Sequence, residues 1–482
     1  MISALRSYLS SKANRNVLAM MSVLTIFISG LFAFANPNQS LWLILLPFAI
    51  CISYVFRNNK HILLYITLIY SFFIGFLYRY FPGLPYGMGV DGMIFILLFA
   101  HLFSNKDVKK CRKFHFDPVV IALFGWLLFT IIQLFNSYTT NYVAWSIDNR
   151  ALGFYPIIFI LLTIYCFYKD TKKIKVFISI WGGFSICCSL WAYKQYFFGL
   201  TGVEQAWLDG GARITHVLWG ELRHFSILSD AGQFGAIQAH AALIFGLLSF
   251  SSSNSMRFRI FYLLVAVLAL FGLLLSGTRG PLFIILIGIA LYTFLVGKWK
   301  IMLVGSIGLV VLFSFLNFSS LGDSYYAVRR LKSSFSKNDA SLQIRVEKAE
   351  GLKDLMKDRP FGFGIGTPGL TGHKYYPERP KLLHFHDSHY LNIWMSTGII
   401  GLTTVLLVYF SIVISTGYRI IKTRLSESKN LAVILFSGYC GTLCANLSND
   451  LSSQFPAAII LPITLGIIVL MLRNPSDYFN KQ

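Results

Sequence analysis

Long apolar runs alternate with short basic ones along almost the whole chain. A run of about 17–25 apolar residues is the length that crosses a bilayer as a helix. Runs of that kind, some shorter, lie at 16–35, 40–56, 61–80, 90–104, 117–136, 151–168, 174–193, 231–250, 260–276, 281–297, 299–317, 390–418, 430–447 and 456–472. The run at 90–104 is short and the hairpin over 281–317 divides in more than one way, so the pattern predicts twelve to fourteen membrane helices. Between 318 and 389 the apolar rhythm gives way to a long segment of mixed charge. Inside it, "IRVEKAEGLKDLMKD" repeats apolar residues at Ile344, Leu352, Leu355 and Met356, near helical spacing. That predicts a helical cap on one face of the membrane. The fold class expected is an all-α polytopic integral membrane protein with a long, partly helical external loop. Its expected parts are an N-terminal bundle at 1–317 (with a loop at 194–230), the large loop at 318–389, and C-terminal helices at 390–482.

Composition agrees and sets the orientation. The chain has 482 residues, 55% of them hydrophobic and 13% charged, against about 25% charged in soluble domains. With the N-terminus inside, the short basic segments at 1–15, 57–60, 105–116, 169–175, 256–259, 297–300 and 418–424, and the C-terminal tail, all fall on one side. That is the positive-inside pattern, and it predicts two cytoplasmic termini. The net charge of +22 is read in the same way. The basic residues are scattered through short loops and form no continuous stripe, so no nucleic-acid partner is expected. The seven cysteines lie mostly in apolar runs with neither metal nor disulfide spacing, and read as packing residues. The first apolar run is long enough to span and lacks a clear small-residue cleavage site, so no cleavable signal is expected.

On this topology both long loops face outward, and they carry the candidate chemistry. Arg150 stands at the start of the sixth run, Arg213 and Arg223 lie in the first long loop, and Arg279 sits in the turn "SGTRGP". Arginine at a membrane boundary either snorkels to headgroups or faces a cavity or partner. Its rigid fork of donors also matches phosphate oxygens. Small and polar neighbours favour the second reading for Arg223 and Arg279. The glycine-rich "RPFGFGIGTPG" lacks the Lys-Ser/Thr of a nucleotide-binding loop and reads as a flexible re-entry of the loop toward the membrane. "HFHDSHYLNIWMSTGIIGL" places His386, Asp387 and His389 at the mouth of a span. On a helix His386 and His389 are neighbours and Asp387 is turned away. A boundary histidine suits a general base, while a mere pair of histidines is a weak metal site. No metal and no cofactor is expected.

These motifs, in this order, resemble the O-antigen ligase and O-antigen polymerase superfamily. "SGTRGP" is similar to the family's arginine turn, and "LRHFSILSDAGQFGA" to its Arg-containing segment before a span. "QIRVEKAEGLKDLMKDRPFGFGIGT" is similar to the stretch of the long loop ending in Pro-x-Gly-x-Gly. Tyr390, Leu391, Gly398, Gly401 and Leu402 match a loose His-Asn-x-Tyr-Leu and Gly-x-x-Gly pattern, and the resemblance covers roughly 150–405. Strict register puts the family's histidine on Asp387, with His386 and His389 on either side; His386 is preferred, His389 next.

The resemblance implies an inverting membrane glycosyltransferase in the bacterial inner membrane, working at the periplasmic face without nucleotide or metal. Its donor would be a glycan on undecaprenyl diphosphate, held by Arg223 and Arg279 with Arg150 and Arg213 as further candidates. His386, or Asp387 or His389, would take the proton of the acceptor hydroxyl. The acceptor would be another glycan for a polymerase, which is favoured, or lipid A–core for a ligase, with a chain-length regulator as a further partner. The rival class is a lipid-linked oligosaccharide flippase or other transporter. It predicts ionisable residues at span centres and broken helices in symmetric halves, and the sequence displays few such charges and no repeat.

Overall fold

A computed structural model describes residues 49–103, 111–218, 220–251, 254–297, 314, 340–380, 383, 388–424 and 426–473. Its helices are α1 (Lys60–Tyr80), α2 (Gly87–Leu102), α3 (Pro118–Phe135), α4 (Tyr142–Phe167), α5 (Thr171–Phe198), α6 (Ala231–Ser249) and α7 (Met256–Ser276). They continue with α8 (Leu282–Val296), α9 (Ala340–Met356), α10 (Gly369–Tyr375), α11 (His389–Lys422), α12 (Glu427–Ala445) and α13 (Ala457–Arg473). Seven of them, α1, α3–α7 and α11, are long and apolar enough to cross a membrane, and α2, α8 and α13 are shorter apolar helices. The chain is therefore a multi-pass, all-α membrane protein, as the apolar rhythm predicts. The runs expected at 16–35 and 299–317, and much of the one at 40–56, lie outside the described residues.

Polar residues at the ends of the apolar runs start the helices. The carboxylates of Asp117, Asp170 and Asp230 and the hydroxyl of Ser426 accept backbone N–H groups in the first turns of α3, α5, α6 and α12. Each such cap is worth about 1 kcal/mol. Asp117 does more. Fully buried, it also receives Arg419 at 2.7 Å and Arg473 at 3.4 Å, tying the ends of α11 and α13 to the start of α3.

Contacts divide the chain into two compact units, residues 1–71 with 83–112, and 72–82 with 113–482. In the first, the Ser53 hydroxyl donates to the Ile96 carbonyl and Lys60 reaches His101. In the second, α6, α12 and α13 form the centre, and nearly every residue of the three is buried. Helix α6 packs on α7 and α8, α12 on α8 and α13, and α13 on α4. Helices α3, α7 and α11 instead turn apolar side chains such as Phe124, Phe271, Leu407 and Phe410 outward, as a lipid-facing rim must.

Two expectations change here. The span expected at 390–418 is not one continuous helix: α11 breaks at Gly398, whose φ of 68° and ψ of −170° only glycine adopts at low cost. The break frees two carbonyls, and in a bilayer freed backbone groups must find partners within the protein. The glycine-rich stretch supplies them. Phe363 N–H donates to Met395 O at 2.8 Å, Gly364 N–H to Ser396 O at 2.9 Å, and Ile400 N–H to Pro360 O at 3.2 Å. A Cβ on Gly398 would stand 2.0 Å from Pro360 O, so the close approach also demands glycine. The "RPFGFGIGTPG" segment is thus a fitted plug in a helix break and not the flexible re-entry the sequence suggests. Helix α9 seats Leu352 and Met356 on the same spot, against Phe363 and Met395. The amphipathic segment does form a helix, Ala340–Met356.

Candidate functional site

The first long loop is partly ordered by secondary structure. After α5 the chain makes short helical turns at Gly202–Trp207 and Arg213–His216, then a two-stranded hairpin, β1 (Val217–Leu218) and β2 (Glu221–Leu222). Arg223 follows β2 directly. Its backbone N–H donates to His216 O at 2.7 Å, and its guanidinium donates to Thr215 O at 2.9 Å. Next, His224 N–H donates to Leu275 O at the end of α7. That bond joins the Arg223 segment to the Arg279 turn, because Leu275 leads into Ser276-Gly277-Thr278-Arg279. Within the turn, Gly277 takes a left-handed φ of 55° and Thr278 N–H donates to the Ser276 hydroxyl.

The turn sits where two other segments converge. A Cβ on Gly235, in the second turn of α6, would fall 1.9 Å from the Thr278 hydroxyl oxygen. A Cβ on Gly280 would fall 1.9 Å from the Ser448 hydroxyl oxygen. Absence of side chains at these two positions lets the α6 start, the arginine turn and the 446–450 loop meet.

That loop carries a residue the motif reading missed. The Asp450 carboxylate accepts His389 Nδ1 at 2.8 Å and the Asn392 side-chain amide at 3.0 Å. The Ser453 hydroxyl also approaches His389 Nδ1, at 3.3 Å. Burial alone would raise the Asp450 pKa, yet the His389 ring and the hydrogen bonds from His389, Ser453 and Asn392 outweigh it and hold the carboxyl below its usual range. An ionised carboxylate only accepts, so Nδ1 carries the proton. In the neutral ring Nε2 is then the acceptor, and the Tyr409 hydroxyl lies 3.2 Å away. His389 N–H donates to Asn446 O as well. His389 is buried with both ring nitrogens engaged, which makes it a clamp between α11 and the 446–453 loop. The expectation that it looks into a cavity beside Arg223 and Arg279 does not match this packing.

The remaining predicted residues are placed as follows. Arg213 is exposed and paired with Asp209 at 2.8 Å on the rim; such pairs contribute little. Arg150 does not open its span. Asn141 caps α4 by accepting from Val143 and Ala144 N–H, and Arg150 lies further on, at a π turn (Arg150–Phe154). Its Nε donates to Ile147 O. His386 and Asp387 lie outside the described residues.

Sequence reading also missed Arg79. This buried guanidinium donates to the carbonyls of Leu228 and Ser226 and lies over the rings of Trp207 and Phe225. It thereby fixes the turn that follows Arg223. The signals were there: an arginine closing an apolar run in "FLYRYF", and a polar "NLSND" between two apolar runs. Neither is distinguishable by pattern from a snorkelling or solvated residue.

Chemically, the arrangement sets two arginine-bearing segments next to a histidine-bearing helix end, all on one end of one bundle. Guanidinium groups suit an anionic phosphate, and a helix mouth rich in histidine and carboxylate suits proton transfer. The chain is similar to known proteins. An O-antigen ligase family model matches residues 264–406, from α7 through the Arg279 turn to the first part of α11. An O-antigen polymerase of Salmonella muenchen is 23% identical over 303 residues, which is 60% of this chain and 73% of that protein.

Proposed function

We propose that this chain is a member of the O-antigen ligase and polymerase superfamily, to which it is similar, and that it polymerises surface-polysaccharide repeat units carried on undecaprenyl diphosphate. The observation that carries the reading is the backbone link from His224 to Leu275, which makes the Arg223 and Arg279 segments immediate neighbours. Two guanidinium groups from adjacent segments fit a diphosphate better than one phosphate, and stabilise the negative charge that grows on it as it leaves. The acceptor hydroxyl attacks the anomeric carbon from the face opposite the diphosphate, forming the new C–O bond as the old one breaks, with inversion. Its proton passes to His386. We assign the base to His386 over His389 because Asp450 and Tyr409 already occupy the ring of His389. Asp387 is the second choice. No step requires a metal or a nucleotide. Arg150 and Arg213 take outer roles, since Arg213 already has Asp209 as its partner.

We place the protein in the bacterial inner membrane with both termini in the cytoplasm and this site at the periplasmic face, on the strength of the basic-loop pattern. The polymerase reading is favoured by the Salmonella relative, most of whose length is matched. A ligase reading, with lipid A–core as acceptor, has the description of the matching family model in its favour. Glycan profiling of a deletion strain separates them. Core carrying a single repeat unit is the polymerase result. Bare core with polymer left on the carrier is the ligase result. Unchanged surface glycan refutes both. With the polymerase, a chain-length regulator is the further partner expected. Arg223→Ala and Arg279→Ala should each abolish polymer while leaving protein in the membrane; full activity in both removes the diphosphate assignment.

A further inference from the structure

Helix α5 carries Trp181, Ser185 and Ser189 one turn apart on one face, and all three are fully buried. Against this face α6 sets Gln238, fully buried, and His240, which stands in the middle of the helix. The Gln238 amide donates to the Ser185 carbonyl at 3.1 Å, and the Trp181 and His240 rings meet edge to face with centroids 5.1 Å apart. Five polar atoms in this seam have no hydrogen-bonding partner among the described residues. They are Trp181 Nε1, the hydroxyls of Ser185 and Ser189, Gln238 Oε1 and His240 Nε2.

Other hydroxyls in these helices do not behave this way. Thr67, Thr163, Ser437 and Thr442 each donate to the carbonyl four residues earlier, which is how an isolated hydroxyl is satisfied inside a membrane helix. Ser185 and Ser189 make no such bond. They lie instead beside one another and beside Gln238, with Gly272 of α7 facing them: a Cβ there would be 3.2 Å from both Ser189 Oγ and Gln238 Cγ. Gly438 of α12 likewise keeps side-chain carbon away from His240 Nε2.

The chemistry of the five atoms selects their ligand. An indole N–H only donates, an amide oxygen only accepts, and hydroxyls do both. A cation would meet the indole N–H, and an anion would meet the Gln238 oxygen. Water alone serves every one of them, and buried water is held by two to four such groups. We propose that the α5–α6 seam is an internal water-binding site, a short file running from Ser189 to His240. Next to its outer end the Ser226 hydroxyl donates to the carbonyl of Cys188, the neighbour of Ser189, and Ser226 leads on to Gln195 and Glu204. The file therefore brings water, and with it proton exchange, from the arginine-bearing end of the bundle to a histidine at mid-span. An ionisable residue at that depth marks a functional path. This inference does not depend on the glycosyl-transfer reading.

The test is hydroxyl-radical footprinting of the full-length protein in lipid nanodiscs, with Trp126 as internal control. Trp126 is as buried as Trp181, but its Nε1 already donates to the Leu152 carbonyl at 2.9 Å. Radicals form on waters beside the ring, so Trp181 and His240 should oxidise several-fold faster than Trp126. Equal protection of Trp181 and Trp126 overturns the proposal. Ser189→Ala gives an independent reading. In a hydrated seam it removes a water partner, so the thermal midpoint falls and Trp181 labelling drops. A dry seam gives the opposite sign, because deleting an unpaired buried hydroxyl raises the midpoint, and that result also overturns the proposal.

Discussion

Replacing Gly398 by alanine tests how the long loop is held. Three costs follow from the structure. The backbone at φ 68° and ψ −170° lies in a region that costs a residue with a side chain about 1–3 kcal/mol. The new Cβ, 2.0 Å from Pro360 O, cannot stay there, so the plug must back away. Backing away breaks the bonds from Phe363, Gly364 and Ile400, each worth about 1 kcal/mol net. The sum is roughly 4–6 kcal/mol, concentrated where α9, the plug and α11 meet. Thermal unfolding in nanodiscs should show a lowered midpoint. Limited proteolysis should show cleavage within 352–366, where the wild type is protected by the packing of Leu352, Met356 and Phe363 on Met395. Transferase activity should fall with it, because the histidine-bearing end of α11 lies directly before the break. A Gly398→Ala protein with wild-type midpoint and wild-type protection would refute the claim that the plug is bonded into the helix break.

Asp450→Asn should cost about 1–3 kcal/mol by weakening the bonds to His389 and Asn392, read as a lower unfolding midpoint in nanodiscs. The Asp450 pKa is depressed in the folded protein, so its contribution is full above the ordinary carboxylate pKa of about 3.9 and is lost as pH falls below it. Acid titration of wild type against Asp450→Asn should show the two curves converging only in that acid range. His386→Ala should abolish transfer with the fold intact, whereas His389→Ala should lower stability along with activity; the reverse pattern, in unfolding and single-turnover assays, contradicts the assignment of roles. Asp117→Ala removes a helix cap and the shared partner of Arg419 and Arg473. Loss of about 2–4 kcal/mol is expected in thermal unfolding, with no change in donor affinity.

By itself the sequence determined the membrane class, the order of the helices and most of their limits. Apolar length and basic flanks are local properties, and a bilayer imposes them segment by segment. The runs at 61–80, 231–250 and 456–472 return as α1, α6 and α13 nearly residue for residue. The Arg223 and Arg279 segments were also legible, because small residues and turns around an arginine interrupt the apolar rhythm. What tertiary structure decided is every feature made by two distant segments. "GFGIGTPG" reads as loose until the break at Gly398 presents carbonyls for it to bond. Arg79 and Asp450 look like ordinary boundary residues until the folded chain puts the carbonyls of Ser226 and Leu228, and the ring of His389, against them. The setting of His389 was hidden for the same reason, since the partners of its ring come from residues 409 and 450. A hydrogen bond's second partner carries no trace in the local pattern of the first, so only packing could supply it.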